Sequence, residues 1–196
     1  MTVRVIFVAP AIGSELRAAR FGGDGPADEA ALAAARAAAG TLPSASRTLT
    51  SPSVRCRRTA EELGLGAEPA QQLADLDVGA WRGRSLDEVA AGDPAAVSAW
   101  LTDPAAAPHG GESVTALGAR VGGWLDGLAE LPGRVVAVAE PAVVRAAVVH
   151  GLGLPPAAFW RFDVRPLSVT ELSGRAGRWN LRCGWDLVQG GSVRGS

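Results

Sequence analysis

The sequence predicts one α/β domain, a three-layer α/β/α sandwich with a mostly parallel central sheet. Short apolar runs of strand length, residues 3–8 and 134–139, are each followed within two residues by a proline. Helical patterns with capping residues follow these runs, and such alternation is typical of a sheet covered by helices on both faces. We expect the domain to span residues 1–186 and a flexible tail to follow over 187–196.

The first quarter of the chain predicts two strands around one helix. Residues 3–8 predict a buried strand because β-branched and apolar residues dominate them. Asp28 is the expected N-cap of an alanine-rich helix over residues 29–39. Residues 47–50, Arg-Thr-Leu-Thr, predict the second strand.

The middle of the chain predicts helices. Ser51 is the expected N-cap of a helix over residues 53–63, with Pro52 at the first helical position. Two further helices are expected over residues 86–91 and 95–101.

The last third returns to the alternating pattern. Ser113 is expected to cap a helix that runs through Leu128, and residues 134–139 are the strongest candidate for a buried strand. A turn and a helix over residues 143–151 should follow. The segments 169–172 and 178–182 predict a hairpin at the sheet edge.

Composition excludes several function classes. A net charge of −1 argues against an electrostatic binder of nucleic acid. The chain has no apolar run of membrane-spanning length and no signal-peptide pattern, so we expect a cytoplasmic protein.

Cys56 and Cys183 lie far apart without metal-ligand spacing, which predicts reduced thiols and no bound metal. No motif calls for a cofactor. The expected partner is a small polar metabolite or another protein, and a homodimer remains open.

Five segments in the same order resemble one known family. They are residues 20–26 with Arg-Phe followed by Asp and Pro, residues 50–60 with Ser-Pro-x-x-Arg-x-x-x-Thr-Ala, residues 73–83 ending in Gly-x-Trp-x-Gly, residues 111–113 with Gly-Glu-Ser, and residues 138–145. Together they resemble the histidine phosphatase (phosphoglycerate mutase-like) superfamily, and the register covers nearly the whole chain. The resemblance implies the same fold, with a pocket at the carboxyl ends of the strands.

The departures from this resemblance fall on the chemistry. Family members carry Arg-His-Gly after the first strand, where this chain has residues 9–11, Ala-Pro-Ala. The family's second histidine corresponds to Glu140, and the following glycine to Pro141. Its acidic residue corresponds to Asp75. Arg55 matches a phosphate-binding arginine of the family. Because Glu140 and Asp75 converge on the same pocket in the family's geometry, Arg55 could instead form a buried salt bridge with them.

The resemblance therefore implies a degenerate site without either catalytic histidine. Pro10 offers no nucleophile, and Glu140 places a negative charge where a phosphate would sit. The favoured interpretation is a binding or partner-interaction protein that does not run the phosphohistidine reaction. One alternative is an enzyme of changed chemistry, in which Asp75, Glu140 and Arg55 act on a small polar metabolite. Another is residual phosphatase activity that involves His109.

The candidate catalytic residues are Asp75 and Glu140. The candidate ligand-binding residues are Arg55, Pro10, Arg20, Trp81 and His109. Arg20 follows the family's first motif, and Trp81 lies near its acidic residue. His109 lies in a loop rich in glycine and proline, where we expect an exposed side chain that could approach the mouth of the pocket.

Overall fold

The computed structural model describes residues 2–22, 24–129, 132–175 and 177–187. Residues 188–196 of the predicted tail lie outside this part of the chain. No helix within the described residues is long and apolar enough to cross a membrane.

Six strands form one sheet, and helices connect and cover them. The strands are β1 (Val3–Val8), β2 (Arg47–Thr50), β3 (Glu68–Pro69), β4 (Gly133–Val138), β5 (Ser168–Arg175) and β6 (Arg178–Asp186). The α-helices are α1 (Ser14–Arg17), α2 (Glu29–Ala37), α3 (Val54–Glu62), α4 (Leu86–Gly92), α5 (Pro94–Thr102), α6 (Val114–Ala129) and α7 (Pro141–Gly151). Three 3₁₀ turns cover Gln71–Leu73, Gly79–Trp81 and Pro156–Arg161.

The sheet is mixed, with strand order β3-β2-β4-β1-β5-β6. The four strands β3, β2, β4 and β1 pair in parallel, whereas β5 is antiparallel to both β1 and β6. The predicted α/β sandwich with a mostly parallel sheet is confirmed. The expected late hairpin is β5–β6, and β6 is one of the two edge strands of the sheet, with β3 at the other edge.

Alternation along the strands divides the core into two apolar clusters. Val5 and Phe7 of β1 belong to the cluster that includes residues of α6 and α7. Ile6 and Val8 belong to the second cluster, with residues of α2 and α3. Because neighbouring side chains of a strand point to opposite faces, the two clusters lie on the two faces of the sheet.

Some local predictions were wrong. Ser53, not Ser51, caps α3, and its hydroxyl accepts a hydrogen bond from the Cys56 N–H at 3.2 Å. Asp28 is the N-cap residue of α2, as predicted, but its side chain makes no capping hydrogen bond because its carboxylate accepts one from Arg17 Nε at 2.7 Å. Helix α7 begins at Pro141, two residues earlier than expected, because proline suits the first helical position.

Candidate active site

The carboxyl ends of three strands meet at one edge of the sheet. Backbone hydrogen bonds continue past the strands there, from Ala139 N–H to the Val8 carbonyl at 3.0 Å and from Ser51 N–H to the Val138 carbonyl at 2.8 Å. These bonds place the segment after β4 between those after β1 and β2. Glu140 then has extended backbone at φ −62° and ψ 152° and precedes α7. Its side chain is consequently free to reach the start of α3.

The carboxylate of Glu140 is held by three side chains of α3 and its cap. The Ser53 hydroxyl donates to Glu140 Oε1 at 2.8 Å, and the Arg55 guanidinium donates to Oε2 in a salt bridge. The Cys56 thiol lies 3.5 Å from Oε1. These donors lie within four residues at the helix start, where the helix dipole also favours a negative charge. Glu140 therefore occupies the hydrogen-bond donors at the start of α3.

The salt bridge is nearly closed to solvent. The side chain of Arg55 is 14% exposed and that of Glu140 is 4% exposed. Burial lowers the pKa of Arg55, but the neighbouring Glu140 carboxylate more than offsets this effect and leaves that pKa raised. Each partner thus neutralises a charge that would be costly to bury alone.

Asp75 lies in the same region, on the loop after Gln71–Leu73. Its Oδ1 accepts a hydrogen bond from the Leu76 N–H at 2.8 Å. Burial, and then repulsion from Glu140, raise the pKa of Asp75 to about 7, although Leu76 N–H, Arg55 and Arg120 act in the opposite direction. A carboxyl with this pKa exchanges a proton near neutral pH, as a general acid or base does.

Arg120 of α6 fixes the loop that carries Asp75. Its guanidinium donates to the carbonyls of Gln72 at 2.9 Å and Ala74 at 3.0 Å. It also forms two hydrogen bonds with the Glu112 carboxylate, at 2.9 and 2.6 Å. This network ties the Asp75 loop to the segment just before α6.

The raised pKa of Asp75 predicts a pH dependence of stability. Because the folded protein binds this proton more tightly than an ordinary carboxyl with a pKa of 3.8 does, the contribution is full below about pH 4. It is lost as the pH rises through about 7. Asp75→Asn should therefore flatten the decline in the free energy of unfolding between pH 5 and 8. At pH 8 the variant should be more stable than the wild type by on the order of 2 kcal/mol, since cleft water screens part of the effect.

Urea denaturation across this pH range measures the effect. Asp87→Asn is the matched control, because Asp87 is an exposed carboxyl on α4. A decline in Asp75→Asn as steep as that of the wild type and the control would contradict the assignment.

Two cavities with shared walls form a cleft at this edge of the sheet. The polar lobe, about 350 Å³, is lined by Gly22, Asp24, Pro52, Ser53, Ala74, Asp75, Leu76, Asp77, Arg82 and Glu140. The aromatic lobe, about 270 Å³, is lined by Glu15, Leu16, Arg20, Phe21, Gly22, Arg55, Asp75, Leu76, Val78, Trp100, Glu140, Pro141, Ala142, Arg145 and Trp160. Asp75 and Glu140 line both lobes, so both carboxyls border the space open to a ligand.

Within the described residues, no group of three or more His, Cys, Asp or Glu side chains is arranged to hold a metal ion.

The other predicted ligand residues divide between the cleft and the core. Arg20 lines the aromatic lobe, and its guanidinium donates to the Gly83 carbonyl at 2.8 Å. Pro10 is buried and does not line either lobe. Trp81 is buried too, with its ring against Phe21, Trp100 and His109.

His109 is 3% exposed, so the expectation of an exposed loop histidine was wrong. Its ring packs edge-on to Trp81 at a centroid distance of 5.2 Å, and it lines neither lobe. Nδ1 accepts from the Gly111 N–H at 3.0 Å, which places the proton of the neutral ring on Nε2. Burial lowers the pKa of His109 and favours that neutral form. His109 therefore stabilises a loop and does not reach a ligand in the cleft.

Ser53, Arg145 and Trp160 belong to the cleft but were missed by the sequence prediction. Arg145 lies five residues after Glu140, one turn further along α7. That spacing was a usable signal, because residues in the first turns of α7 face the same end of the sheet. Trp160 lies in the 3₁₀ turn after α7, and only the tertiary fold brings it to the cleft.

A sequence model of the histidine phosphatase superfamily (branch 1) matches residues 17–186. The chain belongs to the histidine phosphatase superfamily. A search of curated protein sequences found no match.

Solved structures agree with the superfamily assignment. "Mycobacterial hydrolase 1" is 27% identical, with a TM-score of 0.83 over 95% of this chain and 99% of that chain. A vanadate complex (VO₃) of a mycobacterial glucosyl-3-phosphoglycerate phosphatase is 28% identical, with a TM-score of 0.81 over 93% of this chain and 98% of that chain. A putative α-ribazole-5′-phosphate phosphatase from Escherichia coli is 20% identical, with a TM-score of 0.84 over 97% of this chain and 99% of that chain. The last of these shows the shared histidine phosphatase fold alone.

Proposed function

We propose that this histidine phosphatase superfamily member is a binding protein whose cleft does not run the phosphohistidine reaction. The salt bridge between Arg55 and Glu140 is the observation that carries the proposal. The resemblance assigns Arg55 to phosphate binding, yet here its guanidinium is bonded to the chain's own carboxylate. A phosphate could take that position only by displacing Glu140 and leaving a buried carboxylate without its partner.

The missing nucleophile supports the same conclusion. Covalent phosphoryl transfer needs an activated nucleophile, and the position of the family's first histidine is Pro10 in this register. None of the described residues that line the two lobes is a histidine. Pro141 also lacks the backbone N–H that a glycine at this position would offer to a phosphate oxygen.

Charge opposes a phosphate dianion as well. At about 4 Å and an effective dielectric constant of 20, Glu140 would repel each unit charge on a phosphate by roughly 4 kcal/mol, which cancels most of the attraction that Arg55 offers. Displacement of Glu140 from Arg55 would add the cost of breaking the salt bridge. The cleft therefore favours ligands that leave this pair intact.

A second candidate function is acid–base catalysis on a small polar metabolite. It is favoured by one observation, the pKa of Asp75 at about 7 beside a carboxylate that is salt-bridged to Arg55. Two carboxyls in environments this different can serve as acid and base. This candidate predicts turnover of a substrate without phosphate that is lost in Asp75→Asn.

A phosphatase assay tests the first proposal. We expect no turnover above background with p-nitrophenyl phosphate or glucosyl-3-phosphoglycerate, and no phosphorylated protein after acid-free trapping. Each missing transition-state contact commonly costs about 10²–10³ in rate, and here the nucleophile is missing too. The mycobacterial glucosyl-3-phosphoglycerate phosphatase is the positive control. Turnover well above background that disappears in Arg55→Ala would overturn the proposal.

A further inference from the structure

Arg145 carries a positive charge that its surroundings compensate poorly. Its side chain is only 21% exposed, and burial lowers its pKa, which Asp163 only partly offsets. Among the described residues, Asp163 is its one carboxylate partner, at 3.7 Å and fully exposed to solvent. Arg55, by contrast, has a buried carboxylate in direct contact. The two other arginines of the cleft are paired more closely, Arg20 with Glu88 at 3.4 Å and Arg82 with Asp77 at 2.9 Å. Among the described cleft arginines, Arg145 therefore has the least compensated charge.

The guanidinium of Arg145 is held in one orientation. Its Nε donates to the Phe162 carbonyl at 2.7 Å. Its central carbon lies 5.9 Å from the ring centroid of Phe159 and 6.0 Å from that of Trp160. Within the described residues, the two terminal nitrogens make no hydrogen bond, and the residue lines the aromatic lobe. Two parallel N–H groups at the end of a fixed guanidinium match the two oxygens of a carboxylate.

The rest of the aromatic lobe suits a flat apolar group. Trp100 and Trp160 pack at a centroid distance of 4.4 Å, and Phe21 and Trp100 at 5.4 Å. Leu76 and Val78 also line this lobe. Its volume of about 270 Å³ admits a one- or two-ring compound.

The charges of the lobe favour a monoanion over a phosphate dianion. Glu140 and Glu15 line the same space as Arg145, so a second negative charge on the ligand would be repelled by both carboxylates. Asp75 has a pKa of about 7, so it is mostly protonated below that pH and adds little to this repulsion. A carboxylate carries one charge, which Arg145 alone can neutralise.

We propose that the aromatic lobe binds an aryl carboxylate, with the carboxylate on Arg145 and the ring against the aromatic wall. The proposal rests on the proposed function, in which Arg55 is occupied by Glu140 and takes no part in anion binding. It moves the anion site from α3 to the second turn of α7.

Isothermal titration calorimetry of the full chain at pH 6 tests this assignment. The ligands are benzoate, phenylacetate and indole-3-acetate, each beside its neutral carboxamide, with inorganic phosphate as a further arm. We expect at least one acid to bind with a submillimolar Kd, and its carboxamide and phosphate to bind at least about tenfold more weakly. Arg145→Ala should weaken binding of the acid by about tenfold or more. Arg145→Lys should weaken it by less, because the positive charge is kept. Arg47→Ala is the matched control, since Arg47 is exposed at the opposite end of β2.

Three results would overturn the aryl carboxylate site: no acid binds, acid and carboxamide bind equally, or binding survives in Arg145→Ala. Thermal melts confirm that each variant is folded, and Arg145→Lys keeps a cation should Arg145→Ala unfold. The phosphatase assay is independent of these titrations. If the protein turns over phosphate esters and also binds carboxylates through Arg145, only the proposed function is refuted. If it has no phosphatase activity and binds no carboxylate, only the aryl carboxylate site is refuted.

Discussion

Glu140→Ala is expected to lower the free energy of unfolding by about 3 kcal/mol at pH 7, because it leaves the guanidinium of Arg55 mostly buried without its carboxylate. The same change removes the acceptor of the Ser53 hydroxyl. Arg55→Ala should cost at least as much, since it leaves a carboxylate that is 4% exposed beside Asp75. Urea denaturation measures both losses.

The double variant Arg55→Ala/Glu140→Ala shows whether these losses share one cause. If each single change is costly because it leaves one charge without its partner, the double variant should be more stable than the sum of the single losses predicts. The exposed pair Arg58–Glu61 is the matched control, and Glu61→Ala should cost under about 0.5 kcal/mol. Additive losses at Arg55 and Glu140 would show that the salt bridge does not stabilise the fold as described.

The buried strands could be predicted because their sequence pattern is local. β1 is apolar except for Arg4, and β4 is apolar after Arg134; their length and the prolines that follow them separate both from helices. β3 was missed because it has only two residues, Glu68 and Pro69, both exposed. Such a short strand is defined by its pairing with β2, and two residues are too few to show a hydrophobic pattern in the sequence.

The site could be predicted only in part. Glu140 and Arg55 each follow a predicted strand at a sheet edge, so their approach could be expected from topology and from the family register. The position of Arg145 in the cleft depends on its hydrogen bond to Phe162 and its stacking on Trp160, which are tertiary contacts. Sequence alone therefore left Arg55 with two possible roles, ligand binding and a salt bridge with Glu140, and gave no role to Arg145.

The error at His109 has a different physical cause. Glycines near this residue predicted an open, solvated loop, but they serve to bring two loops into backbone contact. Ala80 N–H donates to the His109 carbonyl at 2.9 Å, and Glu112 N–H donates to the Asp77 carbonyl at 2.7 Å. A side chain at Gly79 or Gly111 would collide with the facing backbone, so the close approach requires glycine.

Gly79→Ala should consequently destabilise the protein by about 3–4 kcal/mol, since two costs add. The Cβ would lie 2.2 Å from the His109 carbonyl oxygen, and the backbone of Gly79 has φ +44°, which disfavours any other residue. Gly83→Ala separates the two costs: its φ is +77° but nothing lies within 4 Å of the added Cβ, so it should lose only about 1 kcal/mol. Urea denaturation measures the loss in free energy of unfolding for each variant. The difference between the two losses is the contribution of the contact between the loops. Because this contact also anchors the segment between Asp75 and Trp81, Gly79→Ala should weaken aryl carboxylate binding in the cleft, whereas Gly83→Ala should not. Equal destabilisation by the two variants would show that backbone conformation, and not the packing of one loop on the other, explains the glycine at position 79.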